Sequence, residues 1–188
     1  MIVGIAGAGG IGSNVARHLA QAGVLSIQAV DFDRVDFSNL NRQFYTVDQV
    51  GRFKVDCLEE NLKNIFPAMA IEPVREKLIP GGCTRIFKDC SLVVEGLDNA
   101  QAKKMLVEEL AGAGIPVVSA SGIAGRDMTC VRIKKMGICH IVGDFSTDEK
   151  NAPLFPPKVA MIAALMAAVV LTEMDRARDP KSNLNKEN

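Results

Sequence analysis

Apolar residues follow two alternating patterns along this chain, short continuous runs and longer segments with helical spacing. The alternation predicts strands that take turns with helices, the order that produces a parallel sheet with crossover helices. The short runs predict strands at 2–6, 26–30, 70–74, 92–94 and 116–119, and helical spacing predicts helices at 11–22, 55–65 and 100–113. The first half of the chain is therefore expected to form a layered α/β fold.

The second half has a different pattern. Residues 129–134 and 139–142 flank a short break that contains Gly137, which predicts a hairpin and hence antiparallel strands beside the parallel ones. A polar loop at 144–157 leads into the apolar run 159–171, which is too short for a membrane span and predicts a buried core helix. The charged residues from 175 onwards are expected to fray, so a single domain over 1–175 and a tail at 176–188 are predicted.

Composition narrows the choice of partners and compartment. The chain has 188 residues, of which 48% are apolar, enough to bury one core. With 22 basic and 22 acidic residues the net charge is zero, so neither nucleic acid nor a membrane surface is expected as a partner. The five cysteines form no Cys-x-x-Cys pair and no signal peptide follows Met1, so we expect reduced thiols in the cytoplasm and no zinc site.

A glycine-rich turn joins the first predicted strand to the first helix. It reads Gly7-Ala8-Gly9-Gly10-Ile11-Gly12-Ser13. Glycines allow a nucleotide to approach the backbone, and the helix N-terminus favours its phosphates, so the turn indicates a Rossmann-like nucleotide site. Asp31, at the end of the second strand, is placed to accept hydrogen bonds from ribose hydroxyls. The pattern alone fits NAD, FAD and ATP, and a tight turn without a ligand is the alternative.

The segment that follows Asp31 points to phosphate chemistry. Asn39, Asn41, Arg42 and Gln43 offer amide and guanidinium donors to a triphosphate, and the planar fork of Arg42 suits phosphate oxygens. An NAD-dependent oxidoreductase would share the glycine turn but gives no reason for this cluster. It remains one alternative, and a non-catalytic binding module with the same fold is another.

The dipeptide Asp98-Asn99 follows the predicted strand at 92–94, on the sheet edge where ligands bind in such folds. A carboxylate there could hold hydrated Mg²⁺, but Asp and Asn are also good N-caps for the helix that follows, and position alone leaves both interpretations open. Lys54 and Lys103 lie on predicted helices, where most lysines are solvated unless phosphates are close.

Taken together, these motifs resemble the ThiF/MoeB/HesA family, bacterial relatives of the ubiquitin-activating enzymes. The resemblance extends to Leu171. Within the family, the chain resembles the short ThiF-type proteins of thiamine biosynthesis. It implies that the turn glycines and the Asp31-Phe32-Asp33 motif hold the adenosine, with Lys54 near the ribose and α-phosphate. It further implies that Asn39, Arg42 and Gln43 contact the phosphates and that Asp98 binds Mg²⁺ or orients the attacked phosphate.

The activity implied by the resemblance is adenylation of the C-terminal glycine of a small ubiquitin-like sulfur carrier protein ending in Gly-Gly. ATP and Mg²⁺ are the implied cofactors, Arg42, Lys54 and Asp98 the catalytic residues, and a homodimer the implied assembly. The carrier's carboxylate is the nucleophile, so positioning and charge neutralisation matter more than an acid or base.

Three departures from the family pattern qualify these expectations. The sequence begins at the first strand, so the arginine that relatives supply to the partner subunit from earlier helices is expected to be missing or replaced. The zinc-binding cysteine pairs are absent, and the loop at 144–157 lacks the cysteine that bonds to the carrier in some relatives. Cys139 is expected to be a small core residue, and His18 and His140 have no metal-ligand partners at useful spacing.

Overall fold

A computed structural model describes residues 1–148 and 150–179 of the chain. The strands are β1 (Val3–Ala6), β2 (Ser26–Val30), β3 (Ala70–Val74), β4 (Leu92–Glu95), β5 (Val117–Ala120), β6 (Arg132–Met136) and β7 (Cys139–Gly143). The α-helices are α1 (Gly12–Gln21), α2 (Lys54–Ile65), α3 (Cys83–Ile86), α4 (Ala100–Gly112) and α5 (Pro156–Arg178). Short 3-10 helices lie at Phe37–Asn39 and Val47–Gln49.

The strands form one sheet in the order β3-β2-β1-β4-β5-β7-β6. All neighbouring pairs are parallel except β6 and β7, which form the antiparallel hairpin. This confirms the predicted Rossmann-like fold, a mostly parallel sheet with crossover helices that antiparallel strands extend. Every residue of β1, β4 and β5 is buried, because helices cover both faces of the parallel part.

Two helical layers enclose this sheet. On one face α1, α2 and α5 bury a large apolar cluster that includes Leu19, Leu58 and Ile162. On the other face α3 and α4 bury a smaller cluster around Phe87 and Leu106. The core of the protein therefore lies on both sides of the central strands.

The long helix α5 is apolar and long enough to cross a membrane by length and composition, with 44% of its most apolar window buried. It packs against α1 and the sheet, and Ile162, Met166 and Val170 on its inner side have no exposed surface. The prediction of a buried core helix at 159–171 is confirmed, because this helix supplies much of the larger apolar cluster.

Several boundaries differ from the predictions. β6 begins at Arg132 rather than 129, because Thr129 donates its backbone N–H and its hydroxyl to Asp127 in a local turn. α5 begins at Pro156, a residue that suits the first turn of a helix, and continues to Arg178, into the segment that we expected to fray. The remainder of the predicted tail, 180–188, lies outside the described residues.

The order of the strands reverses between β1 and β4, since the chain builds outward to β3 on one side and to β5 on the other. Parallel sheets of this kind bind ligands outside the carboxyl ends of the strands at such a switch point. The glycine turn follows β1 and the Glu95-to-Asn99 segment follows β4, so both predicted motifs meet at this place.

Candidate nucleotide-binding site

A cleft of about 850 Å³ opens at the switch point of the sheet. The structure brings nearly all the predicted site residues to its walls. Those that line it are Gly7, Gly9, Gly10, Asp31, Asp33, Asn39, Arg42, Gln43, Lys54 and Asp98. Gly12, the remaining one, lies at the start of α1 behind the turn.

The physical requirement for glycine differs between the positions of the turn. Gly7 has φ +89°, and a Cβ there would lie 2.8 Å from the carbonyl oxygen of Gly96. A Cβ on Gly12 would lie 1.9 Å from the carbonyl oxygen of Gly7, so strand and helix could not approach. A Cβ on Gly9, in contrast, would meet nothing nearer than 3.9 Å. The protein's own packing does not require glycine at Gly9, so open space remains there for a ligand.

Asp31 joins the glycine turn to the end of β2. Its carboxylate accepts the backbone N–H groups of Ala8 at 2.7 Å and Asp33 at 2.8 Å. Burial raises the pKa of Asp31, while those two hydrogen bonds and the Lys54 ammonium oppose the rise. Each carboxylate oxygen accepts one protein hydrogen bond and retains further acceptor capacity for a ligand hydroxyl.

Lys54 is a buried lysine, although it stands at the first turn of a helix. Its Nζ lies 3.0 Å from Oδ2 of Asp33, whose side chain is 46% exposed at the cleft. The ion pair holds the ammonium group at the cleft instead of in bulk solvent. Lys54 is therefore not one of the solvated lysines that are common on helices.

The polar segment after Asp31 is shaped by local hydrogen bonds. Asn39 accepts the N–H of Asp36 through Oδ1 in a capping box, which leaves its amide NH₂ without a partner among the described residues. Arg42 donates from one guanidinium nitrogen to the carbonyl of Ser38 at 3.0 Å and to Oδ1 of Asn41 at 2.9 Å. Asn41 thus supports Arg42 rather than facing the cleft, and the rest of the guanidinium fork has no partner among the described residues.

Gln43 borders the open space at Gly9. Its amide nitrogen is the atom that a Cβ on Gly9 would meet at 3.9 Å, and its Oε1 is buried without a hydrogen-bond partner in the described part of the chain. Buried polar atoms normally have partners, so an unpaired one in a cleft marks a position that a bound molecule or water would satisfy.

Asp98 lies exposed on the opposite wall. Within the described residues nothing donates a hydrogen bond to its carboxylate and no cation pairs with it. Asn99 is the N-cap of α4, since its Oδ1 accepts the N–H groups of Gln101 and Ala102. The capping role is thus filled by Asn99, and the Asp98 carboxylate is available to a ligand.

A buried polar cluster below Asp98 was missed by the sequence analysis. Glu95 has no exposed surface, and its carboxylate accepts Lys103 Nζ at 2.8 and 3.0 Å and the Ser119 hydroxyl at 2.7 Å. Lys103 is therefore paired, not solvated. The signal for this cluster was the acidic residue at the end of a buried apolar run, because such a residue needs a partner.

The loop that precedes α5 lines the other end of the cleft through Leu154, together with Ile123 from the loop after β5 and Val159 on α5. This loop is held by the buried side chain of Lys158, which donates to Asp144 Oδ2 and to the carbonyl of Ala124, both at 2.6 Å. Burial raises the pKa of Asp144, but its hydrogen bonds from Lys158, Thr147 and Ser146 outweigh this and hold the pKa well below its ordinary value.

The same loop contains an uncommon backbone conformation. Phe145 has φ +63°, the left-handed region that residues other than glycine rarely adopt. It follows Asp144, whose Oδ1 accepts the N–H groups of Ser146 and Thr147 and so fixes the turn. The strained residue is retained because these contacts determine its position.

Thiols and imidazoles lie apart from this cleft. Cys57, Cys83, Cys90 and Cys139 are buried, and burial together with nearby acidic groups raises the pKa of Cys83 and of Cys90 to about 12. Cys139 is a core residue of β7, as predicted. In the described part of the chain no three His, Cys, Asp or Glu side chains cluster closely enough to hold a metal ion.

Fold and cleft define a class, the Rossmann-like α/β proteins with a ligand site at the switch point of the sheet. The match is more specific than that: the chain belongs to the ThiF family, whose family model matches residues 1–187. This confirms the resemblance inferred from the motifs.

Curated relatives and a solved structure agree with the family. The chain is 39% identical over 120 residues to "Adenylyltransferase and sulfurtransferase uba4" of Aspergillus clavatus, a match that covers 63% of this chain and 24% of the relative. It is 33% identical over 157 residues to "tRNA threonylcarbamoyladenosine dehydratase 2" of Saccharomyces cerevisiae, covering 78% of this chain and 32% of the relative. The chain thus spans about a quarter to a third of these relatives.

The fold is similar to that of E. coli tRNA N6-threonylcarbamoyladenosine dehydratase, TcdA, solved in complex with AMP. The TM-score is 0.86 at 19% sequence identity, and the alignment covers 96% of this chain and 88% of TcdA. At this level of identity the likeness establishes the fold.

Proposed function

We propose that this protein transfers the adenylyl group of ATP to the C-terminal glycine carboxylate of a small ubiquitin-like sulfur carrier protein. The observation that carries the proposal is the composition of the cleft. Beside the glycine turn, its lining includes two cations, two amides and a carboxylate without a partner among the described residues, at Arg42, Lys54, Asn39, Gln43 and Asp98. That set suits a triphosphate better than a nicotinamide.

Each group then has a role in binding. Asp31 accepts the ribose hydroxyls, and the open space at Gly9 admits a phosphate close to the backbone and to the N-terminus of α1. Arg42, Asn39 and Gln43 donate to phosphate oxygens, and Lys54 adds a positive charge near the α-phosphate. These groups hold the nucleotide and offset the charge that develops at phosphorus.

The exposed carboxylate of Asp98, which has no partner in the described part of the chain, fits Mg²⁺, an ion that usually takes one or two protein carboxylates together with phosphate oxygens and water. When bound there, the ion would neutralise charge on the departing pyrophosphate. The protein's own part is to present Asp98 at the end of β4 while Asn99 caps the helix behind it.

The reaction balances without an acid or base from the protein. A carboxylate oxygen of the carrier's last glycine attacks the α-phosphorus, the bond from that phosphorus to the β-bridging oxygen breaks, and pyrophosphate leaves. The product is an acyl-adenylate. We further propose that the activated carrier serves sulfur transfer in thiamine or related cofactor biosynthesis, that the protein works as a cytoplasmic homodimer, and that no enzyme thiol becomes acylated.

A second candidate is favoured by the relative from Saccharomyces cerevisiae and by the fold likeness to TcdA, whose names specify a dehydratase of tRNA threonylcarbamoyladenosine. It is ATP-dependent action on a modified tRNA nucleoside. The zero net charge of the chain argues for a protein carrier, because tRNA binding draws on positive surface potential.

The test is ATP–pyrophosphate exchange with Mg²⁺ and a set of carriers that end in Gly-Gly, followed by intact mass spectrometry of the carrier for the acyl-adenylate. A carrier that lacks its final glycine is the matched control. Exchange with one intact carrier and none with its truncated form supports the proposal. Exchange that tRNA alone induces supports the second candidate, and carrier binding without exchange indicates a non-catalytic module.

Nucleotide choice is tested by thermal shift. Ligand-induced stabilisation follows RT ln(1 + [L]/Kd), so the true nucleotide raises the melting temperature at the lowest concentration. We expect Mg-ATP to stabilise the protein more than NADH. The reverse order would identify an NAD-binding protein.

A further inference from the structure

Three side chains hold the glycine turn through its backbone carbonyl groups. Successive carbonyl groups of the turn each accept a hydrogen bond from a different side chain. The three bonds, all 2.7 Å long, run from the Tyr45 hydroxyl to Ala8, from the Ser13 hydroxyl to Gly9 and from the Asn14 amide to Gly10. The carbonyl oxygens are thereby engaged within the protein, away from the anion site.

The same side chains also reach the segment 42–45, which carries two of the proposed phosphate ligands. Asn14 Nδ2 donates a second bond to the carbonyl of Arg42 at 2.8 Å. The hydroxyl of Ser13 accepts the N–H of Phe44 at 3.1 Å. Tyr45 belongs to the segment itself. The turn and the segment are thus joined at three points.

Local helix chemistry does not account for these links. A Ser or Asn at a helix start often bonds the carbonyl four residues earlier, as Ser13 and Asn14 do here. The additional bonds connect residues that are 28, 31 and 37 positions apart. Ser13 and Asn14 are buried. Because burial removes water from their polar groups, these groups need hydrogen-bond partners within the protein.

Tyr45 is suited to serve as a permanent donor. Its ring is buried, and burial, followed by the nearby charge of Asp31, raises the pKa of the phenol well above its ordinary value. The hydroxyl therefore remains protonated across the physiological range. Both backbone polar groups of Ala8 are hydrogen-bonded, since its N–H donates to Asp31 and its carbonyl accepts from Tyr45.

We infer that Ser13, Asn14 and Tyr45 form a positioning network that sets Arg42 and Gln43 at a fixed distance from the glycine turn. The inference rests on the proposed function, because the group that these residues would jointly contact is a nucleotide phosphate. None of the three residues lines the cleft. The network acts through Arg42, whose guanidinium keeps donors without a partner among the described residues, and through Gln43, whose amide nitrogen borders the open space at Gly9 and can donate to a phosphate oxygen.

The experiment is a double-mutant cycle on the dissociation constant of Mg-ATP, measured by calorimetry on folded protein. We expect Asn14→Ala to weaken binding about tenfold and Tyr45→Phe about threefold, the range for single hydrogen bonds. Arg42→Ala is expected to weaken binding more. Because Asn14 bonds the backbone of Arg42 directly, the double variant Asn14→Ala/Arg42→Ala should bind Mg-ATP less weakly than the product of the two single effects predicts.

Asn61→Ala is the matched control. Its amide also donates to a backbone carbonyl of the segment, that of Phe44 at 2.8 Å, but it projects from α2 and not from the turn. Its effect on binding should be small and should add to that of Arg42→Ala. Equal coupling of Asn14 and Asn61 to Arg42 would overturn the assignment to the turn, and so would wild-type affinity in both Asn14→Ala and Tyr45→Phe.

Amide hydrogen exchange of the ligand-free protein separates this inference from the proposed function. Ser13→Ala and Asn14→Ala should speed exchange of the amides at 42–45 at least several-fold while leaving those of β4 unchanged. Tyr45→Phe keeps the buried ring and so retains the fold if another variant does not. A wild type that binds no ATP refutes the proposed function, whereas unchanged exchange at 42–45 in all three variants refutes the network.

Discussion

The two ends of the cleft are held in contrasting ways. At the glycine turn, neutral side chains each contribute one or two hydrogen bonds, so the geometry depends on several modest interactions. At the loop end, one buried ion pair between Lys158 and Asp144 fixes the loop against α5. We therefore expect single substitutions at the turn end to reduce function in small steps. At the loop end, removal of one charged group should be enough to disrupt the loop.

The largest expected effect is therefore at the loop end. Lys158→Met leaves Asp144 as a buried carboxylate without its cation, which costs about 3–5 kcal/mol of unfolding free energy. Urea denaturation measures this loss. The double variant Asp144→Asn/Lys158→Met removes both charges and should recover part of it. If the single variant lost less than about 1 kcal/mol, the ion pair would not hold the loop.

Acid should break the same end without mutation. The pKa of Asp144 is lower in the folded protein than in the unfolded chain, so its stabilisation is complete above the unfolded value, about pH 4, and is lost as pH falls further. We expect the unfolding free energy to drop more steeply below pH 4 in wild type than in Asp144→Asn/Lys158→Met. Parallel curves would show that other carboxylates control the acid response.

A substitution at Asp98 tests the cleft itself, separately from the contacts that hold its two ends. Asp98→Ala should lower ATP–pyrophosphate exchange about 100-fold, as loss of one electrostatic group in an active site does. Its unfolding free energy should stay within about 0.5 kcal/mol of wild type, because the residue is exposed and its side chain bonds no other group that the structure describes. Asn99→Ala is the control, with lower stability from the lost cap and retained exchange. Full activity in Asp98→Ala would remove Asp98 from the site.

At the turn end, Arg42→Lys should reduce Mg-ATP affinity and exchange about tenfold, the value of one charge-assisted hydrogen bond of roughly 1.5 kcal/mol. A lysine keeps the charge but loses the planar fork. The graded effect, smaller than that at Asp98, is what the distributed contacts of this end predict. Unchanged affinity and rate would exclude Arg42 from phosphate binding.

The smallest effect is expected at the thiols. Cys130 is the exposed cysteine among the described residues, and the segment 144–157 has none. Cys130→Ser should retain exchange and transfer to the carrier, since the proposed reaction forms no enzyme thioester. A folded variant that kept exchange but lost sulfur transfer would reveal a covalent relay. The Ser variants of the buried cysteines require the same assay with stability checked in parallel.

Local patterns predicted much of this molecule. The glycine turn, Asp31 and the alternation of runs are short-range signals, so the sheet and most of the cleft could be expected from the sequence. Tertiary contacts could not. The partnership of Asn14 with residue 42, and of Lys158 with Asp144, depends on how distant segments meet, and no spacing rule specifies it. The position of Glu95 at the end of a buried apolar run indicates that its carboxylate needs a partner. It does not identify Lys103 as that partner.

The open space at Gly9 has a consequence for genetics. Most substitutions in a phosphate-binding turn disturb folding and ligand binding together, so a null phenotype cannot separate an absent protein from an inert one. At Gly9 the added methyl group of alanine would meet no atom of the chain within 3.9 Å but would occupy the ligand's space. Under the proposed function, Gly9→Ala is therefore expected to give a protein that accumulates normally and keeps its partner surfaces but no longer binds nucleotide.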